Sequence, residues 1–383
     1  MRRFKTHICL VGQNEELNIP PSLHPGFKPD KILLIFSSWH KEKSRNLSLI
    51  FNHHQIQTQF IEITDKREPK TIVQRIEELI IEQLKQSPDD KNALALNITS
   101  GSQLLSLICH ELFEKYQLPV FYVNKETDVL HFLPLISGHS YQFHLDDRLK
   151  IFDYLLAYGI KAIPPSIPNR ETSKAHITLC QTLIEGIEQY QKPLGKFNYY
   201  AARTDKSFQV TIKHSDLKDH EFVSMIYLFS HLKIIDFNGS QLNFKNETER
   251  FFCNGGWLEE YVFLELTALK QQLLIQDIYI GLEIELPGGS KNELDICFMA
   301  NNRFYLIECK TKKYSGHTAG NNTLYKLDTL KHYGSTQSKA MLISYHKLTN
   351  SNRRRASDYQ LSIISAHKLK QLKKHIVQWV EEA

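Results

Sequence analysis

Glu308 and Lys310 stand two residues apart in the run Phe304-Tyr305-Leu306-Ile307-Glu308-Cys309-Lys310-Thr311, and Asp295 lies one turn upstream in Glu293-Leu294-Asp295-Ile296-Cys297-Phe298. Both runs read as strands, separated by Ala300-Asn301-Asn302-Arg303. Alternate residues of a strand share a face, so Glu308 and Lys310 project together while Ile307 and Cys309 turn away. Asp295, one hairpin away, can then share a divalent ion with Glu308. An oxygen-lined site suits Mg²⁺ or Mn²⁺, which polarises a phosphodiester and lowers the pKa of a bound water. A lysine beside it can position that water or neutralise charge building on phosphorus. Glu-x-Lys on a strand also occurs as a plain solvated face. Here the apolar neighbours Tyr305, Leu306 and Ile307 mark a central strand buried on both sides, where unpaired charge is costly.

The element that must complete such a site lies upstream. Asn254-Gly255-Gly256-Trp257-Leu258-Glu259-Glu260-Tyr261-Val262-Phe263-Leu264-Glu265-Leu266 reads as a helix that starts after a glycine pair. Glu259, Val262, Phe263 and Leu266 share one face by helical spacing. A carboxylate on that apolar face either aims at the metal site or sits at a helix N-terminus, where the macrodipole favours negative charge. The second explanation applies equally to Glu260; face position favours Glu259 for the first.

In order, Gly255-Gly256-Trp257-Leu258-Glu259, Glu293-Leu294-Asp295 and Glu308-Cys309-Lys310-Thr311 resemble the PD-(D/E)xK nuclease superfamily, in the restriction-endonuclease-like form attached to CRISPR-associated sensor domains. The resemblance implies Asp295 and Glu308 as metal ligands, Lys310 as the catalytic lysine and Glu259 as the helix carboxylate. Leu294 stands where the name of the superfamily would have proline.

The whole chain, 383 residues and 42% hydrophobic, has room for two or three domains with real cores. No apolar run reaches the roughly 18 residues that a membrane span needs. Met1-Arg2-Arg3-Phe4-Lys5-Thr6-His7 leads into a strand and not into a signal-peptide stretch, so a cytoplasmic protein without a membrane partner is expected. Cys9, Cys109, Cys180, Cys253, Cys297 and Cys309 form no Cys-x-x-Cys pair and read as buried reduced thiols. A net charge of +5 permits nucleic acid as a partner without demanding it. Arg353-Arg354-Arg355 and Lys368, Lys370, Lys373 and Lys374 could hold a strand through its phosphates. For the last helix, with Leu369, Leu372, Ile376 and Val380 inside, a water-facing row of lysines is the better reading.

The N-terminal half alternates strands and helices. Apolar strands are expected at His7–Gly12, Lys31–Ser38, Gln59–Ile63, Ala93–Ile98 and Pro119–Val123, with a clear helix from Thr71 to Gln86. This pattern predicts a mostly parallel, Rossmann-like α/β sheet, whose ligands bind beyond the carboxyl ends of the strands. The residues there are small or polar: Gly12, Gln13 and Asn14; Ser37 and Ser38; Asn97, Thr99, Ser100 and Gly101. The last group precedes the apolar run Leu104-Leu105-Ser106-Leu107-Ile108, offering free N–H groups at a helix N-terminus to a phosphate. Neither a Walker A loop nor a Gly-x-Gly-x-x-Gly fingerprint is present, which disfavours NTP hydrolysis and NAD binding.

Gly12-Gln13, the Ser37-Ser38 turn and Asn97-x-Thr99-Ser100-Gly101 resemble the ligand loops of the CRISPR-associated Rossmann-fold (CARF) sensor domain. With the nuclease motifs, most of the chain resembles the type III CRISPR ancillary nucleases. The fold implied is a Rossmann-like CARF domain followed by a restriction-endonuclease-like α/β domain. That family implies a homodimer whose paired sensors bind a cyclic oligoadenylate, most often cyclic tetra-adenylate.

The expected organisation is a sensor over 1–145, a connecting helix from Asp146 to Leu156 and a hinge at Ala162-Ile163-Pro164-Pro165-Ser166-Ile167-Pro168 within 146–170, a bridging subdomain over 171–250, and a nuclease over 251–383. His214, His220 and His231 fall in the bridge without metal-site spacing. The leading reading is a messenger-gated, Mn²⁺- or Mg²⁺-dependent nuclease acting on DNA and/or RNA. The alternatives are a CARF regulator without nuclease activity, and a ring nuclease in which Ser37, Ser38 or Lys41 helps the sensor degrade its own messenger.

Overall fold

A computed structural model describes residues 3–63, 68–88, 90, 92–133, 141–164, 172–204, 206–313 and 316–382. Its first sheet has the order β3-β2-β1-β4-β5-β6-β7. These are β1 (Thr6–Leu10), β2 (Lys31–Ser37), β3 (Gln57–Ile63), β4 (Leu94–Asn97), β5 (Val120–Asn124), β6 (Val129–Leu133) and β7 (Gln142–His144). The first five are parallel. Strands β1, β2 and β4 are buried on both faces, as Ile32 to Phe36 are without interruption, because α1 (Ile19–Leu23), α2 (Lys41–His53), α3 (Pro69–Lys85) and α4 (Gln103–Lys115) cover the sheet, while edge strand β3 buries only Ile61 and Ile63. The ribbon β6-β7 was not anticipated. It adds antiparallel strands beyond β5 and contributes Leu130 to a core of Phe4, Phe27 and Phe121.

The connecting helix starts later than expected. Helix α5 spans Ile151–Ala157 only, because residues before it are held extended: Asn302 Oδ1 accepts the N–H groups of Arg148 and Leu149, and Asp277 accepts that of Ile151. The start of the expected hinge is instead a strand, β8 (Lys161–Ile163), paired with the edge of the nuclease sheet; Pro165 to Pro168 lie outside the described residues.

Next come α6 (Lys174–Glu185), α7 (Ile187–Ala201), α8 (His220–His231) and a small sheet of β9 (Gln209–Thr211), β10 (Ile235–Phe237) and β11 (Gln241–Phe244). Then α9 (Glu247–Phe251) and α10 (Trp257–Ala268) precede the strands β12 (Ile275–Glu285), β13 (Lys291–Ala300), β14 (Arg303–Lys310), β15 (Lys339–Ser344) and β16 (Ser362–Ser365), with α11 (Gly316–His332), α12 (Asn350–Asp358) and α13 (Leu372–Glu381) between and after them. The sheet order is β16-β15-β14-β13-β12-β8. Strands β12, β13 and β14 are antiparallel neighbours, and β14, β15 and β16 run parallel.

Each face of this second sheet joins a different core. Ile296, Phe298, Ile307 and Ile343 pack with α6, α7, α8 and α10 through Leu183, Phe197, Phe229 and Trp257. Cys297, Leu306 and Leu342 pack with α5, with Cys9 and Leu34 of the first sheet and with Leu47 of α2. The two halves are therefore joined by a shared apolar core. Helix α13 buries Leu372, Ile376 and Val380 and shows its lysines outward, with Lys373 pairing Glu265, and Lys370, in the 3-10 turn just before it, pairs Glu188. No helix among the described residues is long and apolar enough to cross a membrane. All six cysteines are buried and unbridged.

Candidate nuclease and sensor sites

The strand register brings the chemistry together. Ile296 is opposite Ile307, so Asp295 and Glu308 form the next pair outward, at the point where ladder pairing stops. There Asp295 replaces the ladder: its Oδ2 accepts the Cys309 N–H at 2.8 Å. Lys310 Nζ lies 2.6 Å from Glu308 Oε1 and 3.4 Å from Asp295 Oδ2. Both carboxylates are buried, and the lysine is what lets them stand together.

Electrostatics records the strain. Burial, then the neighbouring Glu308 charge, pushes the Asp295 carboxyl up to about 6 against the pull of Lys310. Burial opposes the charged form of Lys310, yet Asp295 and Glu308 outweigh it and hold its pKa above the usual lysine range. Glu259, on the first turn of α10, is pushed up to about 9 by burial and then by the Asp295 charge, with Lys310 pulling the other way. It belongs to the same electrostatic cluster. Glu260 faces elsewhere: its Oε1 is 3.2 Å from His176 Nδ1, and Glu249 holds Nε2 of the same ring at 2.9 Å. The helix reaches the sheet through a tight turn, with Gly255 at φ 118° and any Cβ there 2.3 Å from Thr311 Oγ1.

One participant was not anticipated. Lys326, on α11, places Nζ 3.6 Å from Glu308 Oε2. Nothing in its local sequence marks it, because its role depends on how α11 returns over β14. Beyond this ion pair, that same Oε2 is buried without a hydrogen-bond partner among the described residues, a hard oxygen donor of the kind a Mg²⁺ or Mn²⁺ ion takes.

The sensor loops also converge at the carboxyl ends of the strands, by different means. Gly12 and Gly101 meet so closely that a Cβ on Gly12 would fall 2.6 Å from Gly101 Cα, and Gly101 has φ +105°. Ser100 Oγ donates to Gln13 O at 2.8 Å, joining the first and fourth loops. Asn97 and Thr99 turn inward: Asn97 Nδ2 donates to Asn18 Oδ1, Asn97 Oδ1 accepts the Thr99 N–H, and Thr99 Oγ1 accepts the Val123 N–H. They shape the loop, while Gln13 and Ser38 are exposed and Asn14 and Gly101 half-buried at its rim. Ser37 bonds His40 Nδ1 at 3.1 Å and lines a cavity of about 220 Å³ with His40, Ser102 and Leu104. Lys43, also unanticipated, donates to Gly12 O and pairs with buried Glu15.

A parallel sheet with ligand loops at its carboxyl ends, joined to a sheet that gathers two carboxylates and a lysine, defines a two-domain protein of sensor and nuclease. Comparison names both parts: residues 21–154 match the Card1 CARF domain, and residues 245–383 match the Card1-like endonuclease domain. Together these matches span well over half of the chain, which belongs to the Card1-like family of CARF-domain nucleases, the type III CRISPR ancillary nucleases. No curated protein sequence matches it.

Among solved structures, protein VC1899 from Vibrio cholerae superposes with a TM-score of 0.89 at 27% identity, covering 98% of each chain. Can2 from Sulfobacillus thermosulfidooxidans, solved in complex with cyclic tetra-adenylate, gives 0.76 at 22% identity over 98% of this chain and 99% of its own. A type III CRISPR defence DNA nuclease activated by cyclic oligoadenylate gives 0.57 at 12% identity, over 89% of this chain and 45% of that one.

Proposed function

We propose that the protein is a cyclic-oligoadenylate-activated, metal-dependent endonuclease that cleaves phosphodiesters of DNA and/or RNA in antiviral defence. The observation that carries the reading is the convergence of Asp295, Glu308 and Lys310, with Glu308 Oε2 buried, without a hydrogen bond among the described residues and faced only by Lys326 at 3.6 Å. Asp295 and Glu308 would hold Mn²⁺ or Mg²⁺, which supplies an activated water and a polarised phosphoryl oxygen. Lys310, held protonated by its two carboxylates, offers a fixed positive charge to the phosphorane. Glu259, protonated near neutrality, can donate a proton or a hydrogen bond at the edge of the same cluster.

The messenger reading rests on the sensor loops. Gly12 and Gly101 let the first and fourth loops approach backbone to backbone, and the N-terminus of α4 presents N–H groups beside Ser102. Cyclic tetra-adenylate, the ligand in the Can2 structure, fits a site built from two copies. Around the cavity mouth Leu104 and Leu107 are exposed, and Trp39, next to His40, is 84% exposed. Apolar groups in this position support a homodimer closing around the ring.

The test is a cleavage assay on single-stranded and supercoiled substrates with Mn²⁺ or Mg²⁺, with and without cyclic tetra-adenylate. Cleavage only with the messenger, abolished in Glu308→Ala while messenger binding survives, is the expected result. Constitutive cleavage overturns gating, and no cleavage with either metal leaves a sensor alone. Messenger loss in the Glu308→Ala protein marks a ring nuclease.

A further inference from the structure

The first sensor loop continues directly into the contact between the two halves. Asn14, at φ 57° and ψ 48°, turns the chain from Gly12-Gln13 into a single 3-10 turn, Glu15–Asn18. Asn18 is tied beneath the sheet by a bond from its Nδ2 to Leu10 O and by the bond it accepts from Asn97. Glu16, between them, is buried at 3% exposure and points out of the sensor. Its carboxylate accepts the Tyr158 hydroxyl, and burial raises its pKa with the hydroxyl groups of Tyr158 and Ser335 counteracting.

Tyr158 lies one helical turn beyond Tyr154 across α5, with ring centroids 5.2 Å apart. The Tyr154 hydroxyl is buried against the turn that separates α11 from β15. It accepts the Ser335 N–H at 2.6 Å and bonds Ser338 Oγ at 2.6 Å. A Cβ on Gly334 would come within 2.1 Å of that hydroxyl, so the turn is fitted around the phenol. Both flanks of the turn act on the nuclease site. Helix α11 carries Lys326 to Glu308, and β15 pairs with β14 from Tyr305↔Lys339 through Glu308↔Leu342 to Lys310↔Ser344. Around this chain of contacts the two halves meet through apolar packing, which tolerates sliding; short hydrogen bonds do not, and they therefore fix direction.

We propose that Glu16, Tyr158 and Tyr154 are positioning residues that couple the messenger loop to the nuclease site, with the turn Gly334–Ser338 as the receiving end. The proposal rests on the sensor reading above and adds its route. Contacts that a messenger makes with Gly12 to Asn14 bias the Glu15–Asn18 turn; the bias passes to the two tyrosines and shifts Lys326 and β15 against Glu308. A ligand changes an equilibrium only by binding one arrangement better than the other, and this loop is where the two would differ.

The experiment uses the full-length protein and cyclic tetra-adenylate. For wild type, Tyr158→Phe and Tyr154→Phe it measures messenger affinity, Mn²⁺-dependent cleavage with and without messenger, and amide exchange over residues 333–344. In Tyr158→Phe the expected result is messenger affinity within about twofold of wild type, a stimulated cleavage rate lower by roughly tenfold with KM for nucleic acid unchanged, and loss of the messenger-induced exchange change over 333–344. Tyr158 is only half-buried, so this variant carries the test even where Tyr154→Phe melts early. Unchanged stimulation in Tyr158→Phe, or a wild-type protein that binds messenger without any exchange response at 333–344, overturns the route. An exchange response without stimulated cleavage keeps the route and sinks the activation reading instead. A wild-type protein that does not bind the messenger overturns both.

Discussion

The candidate nuclease site and the candidate sensor site of this chain are assembled from opposite materials. One is a knot of ionisable side chains, Asp295, Glu308, Lys310 and Glu259, whose burial keeps their charges in tension. The other is largely backbone, drawn together by glycines that admit no side chain and by small hydroxyl and amide groups that satisfy one another. Activity in the first therefore depends on charge balance, and recognition in the second on shape. Substitutions that preserve volume but change charge should damage the first alone; those that add a methyl group should damage the second alone.

The largest effect expected is at the charge knot. Glu308→Ala removes the carboxylate proposed to hold the metal and should lower cleavage by roughly 10³-fold or more, as chelation of the metal should, while messenger affinity is unchanged. Titration of messenger binding alongside the cleavage assay checks the separation; a parallel loss of both would erase the distinction between the sites.

Lys310→Met is the next step down, with cleavage lower by roughly 10²- to 10³-fold. It also carries a signature. Without Lys310, only the more distant Lys326 offsets the repulsion between Asp295 and Glu308, so the Asp295 carboxyl, already up at about 6, moves higher. The acid limb of the residual pH–rate profile should then move toward alkaline pH. An unmoved limb would show that Lys310 acts on substrate only and does not hold the carboxylates.

On the sensor side, Gly12→Ala puts a methyl group 2.6 Å from Gly101 Cα, and Gly101→Ala forces a left-handed backbone onto alanine with its Cβ 2.7 Å from Leu10 Cβ. Each should cost about 1–3 kcal/mol of stability and weaken messenger affinity by tenfold or more. Messenger-independent properties of the nuclease half, such as metal affinity, should be untouched. Calorimetry of messenger and metal binding on the same variants reads both sides of the comparison.

The same contrast governs what was legible in the sequence. Asp295, Glu308 and Lys310 were visible because their chemistry is carried by side-chain type and strand alternation, both of which are local. Strands β1, β2 and β4 were visible because strands buried on both faces are apolar nearly without interruption, while β3 and β5, each with an exposed aromatic, keep enough β-branched and aromatic residues to read as strands. The ribbon β6-β7 was missed because Val129 to Leu133 is short and half-buried, and the strand Lys161–Ile163 was taken for a hinge because the prolines after it dominate its composition. Lys326 and Lys43 act across distances that only the folded chain closes. Asn97 and Thr99 show the limit on the sensor side: the sequence places them at the carboxyl end of a strand, but whether an amide faces a ligand or its own loop is settled by neighbours such as Asn18 and Val123.

Glu259 offers the finest test, because it is a charge-site residue whose signature is in stability. Its carboxyl stands at about 9 in the folded protein against 4.5 in an ordinary setting. As pH rises from about 4.5 to about 9, the unfolded chain gives up the proton while the folded chain keeps it, so the native state loses stability over this window. Glu259→Gln keeps the volume and the hydrogen-bonding end but has no proton to lose. The metal-free variant should melt close to wild type near pH 4.5 and a few degrees above it near pH 8.5. A gap that does not grow with pH would place Glu259 outside the charge knot, on the side of ordinary helix N-terminal carboxylates, and would leave Asp295 and Glu308 to balance Lys310 alone.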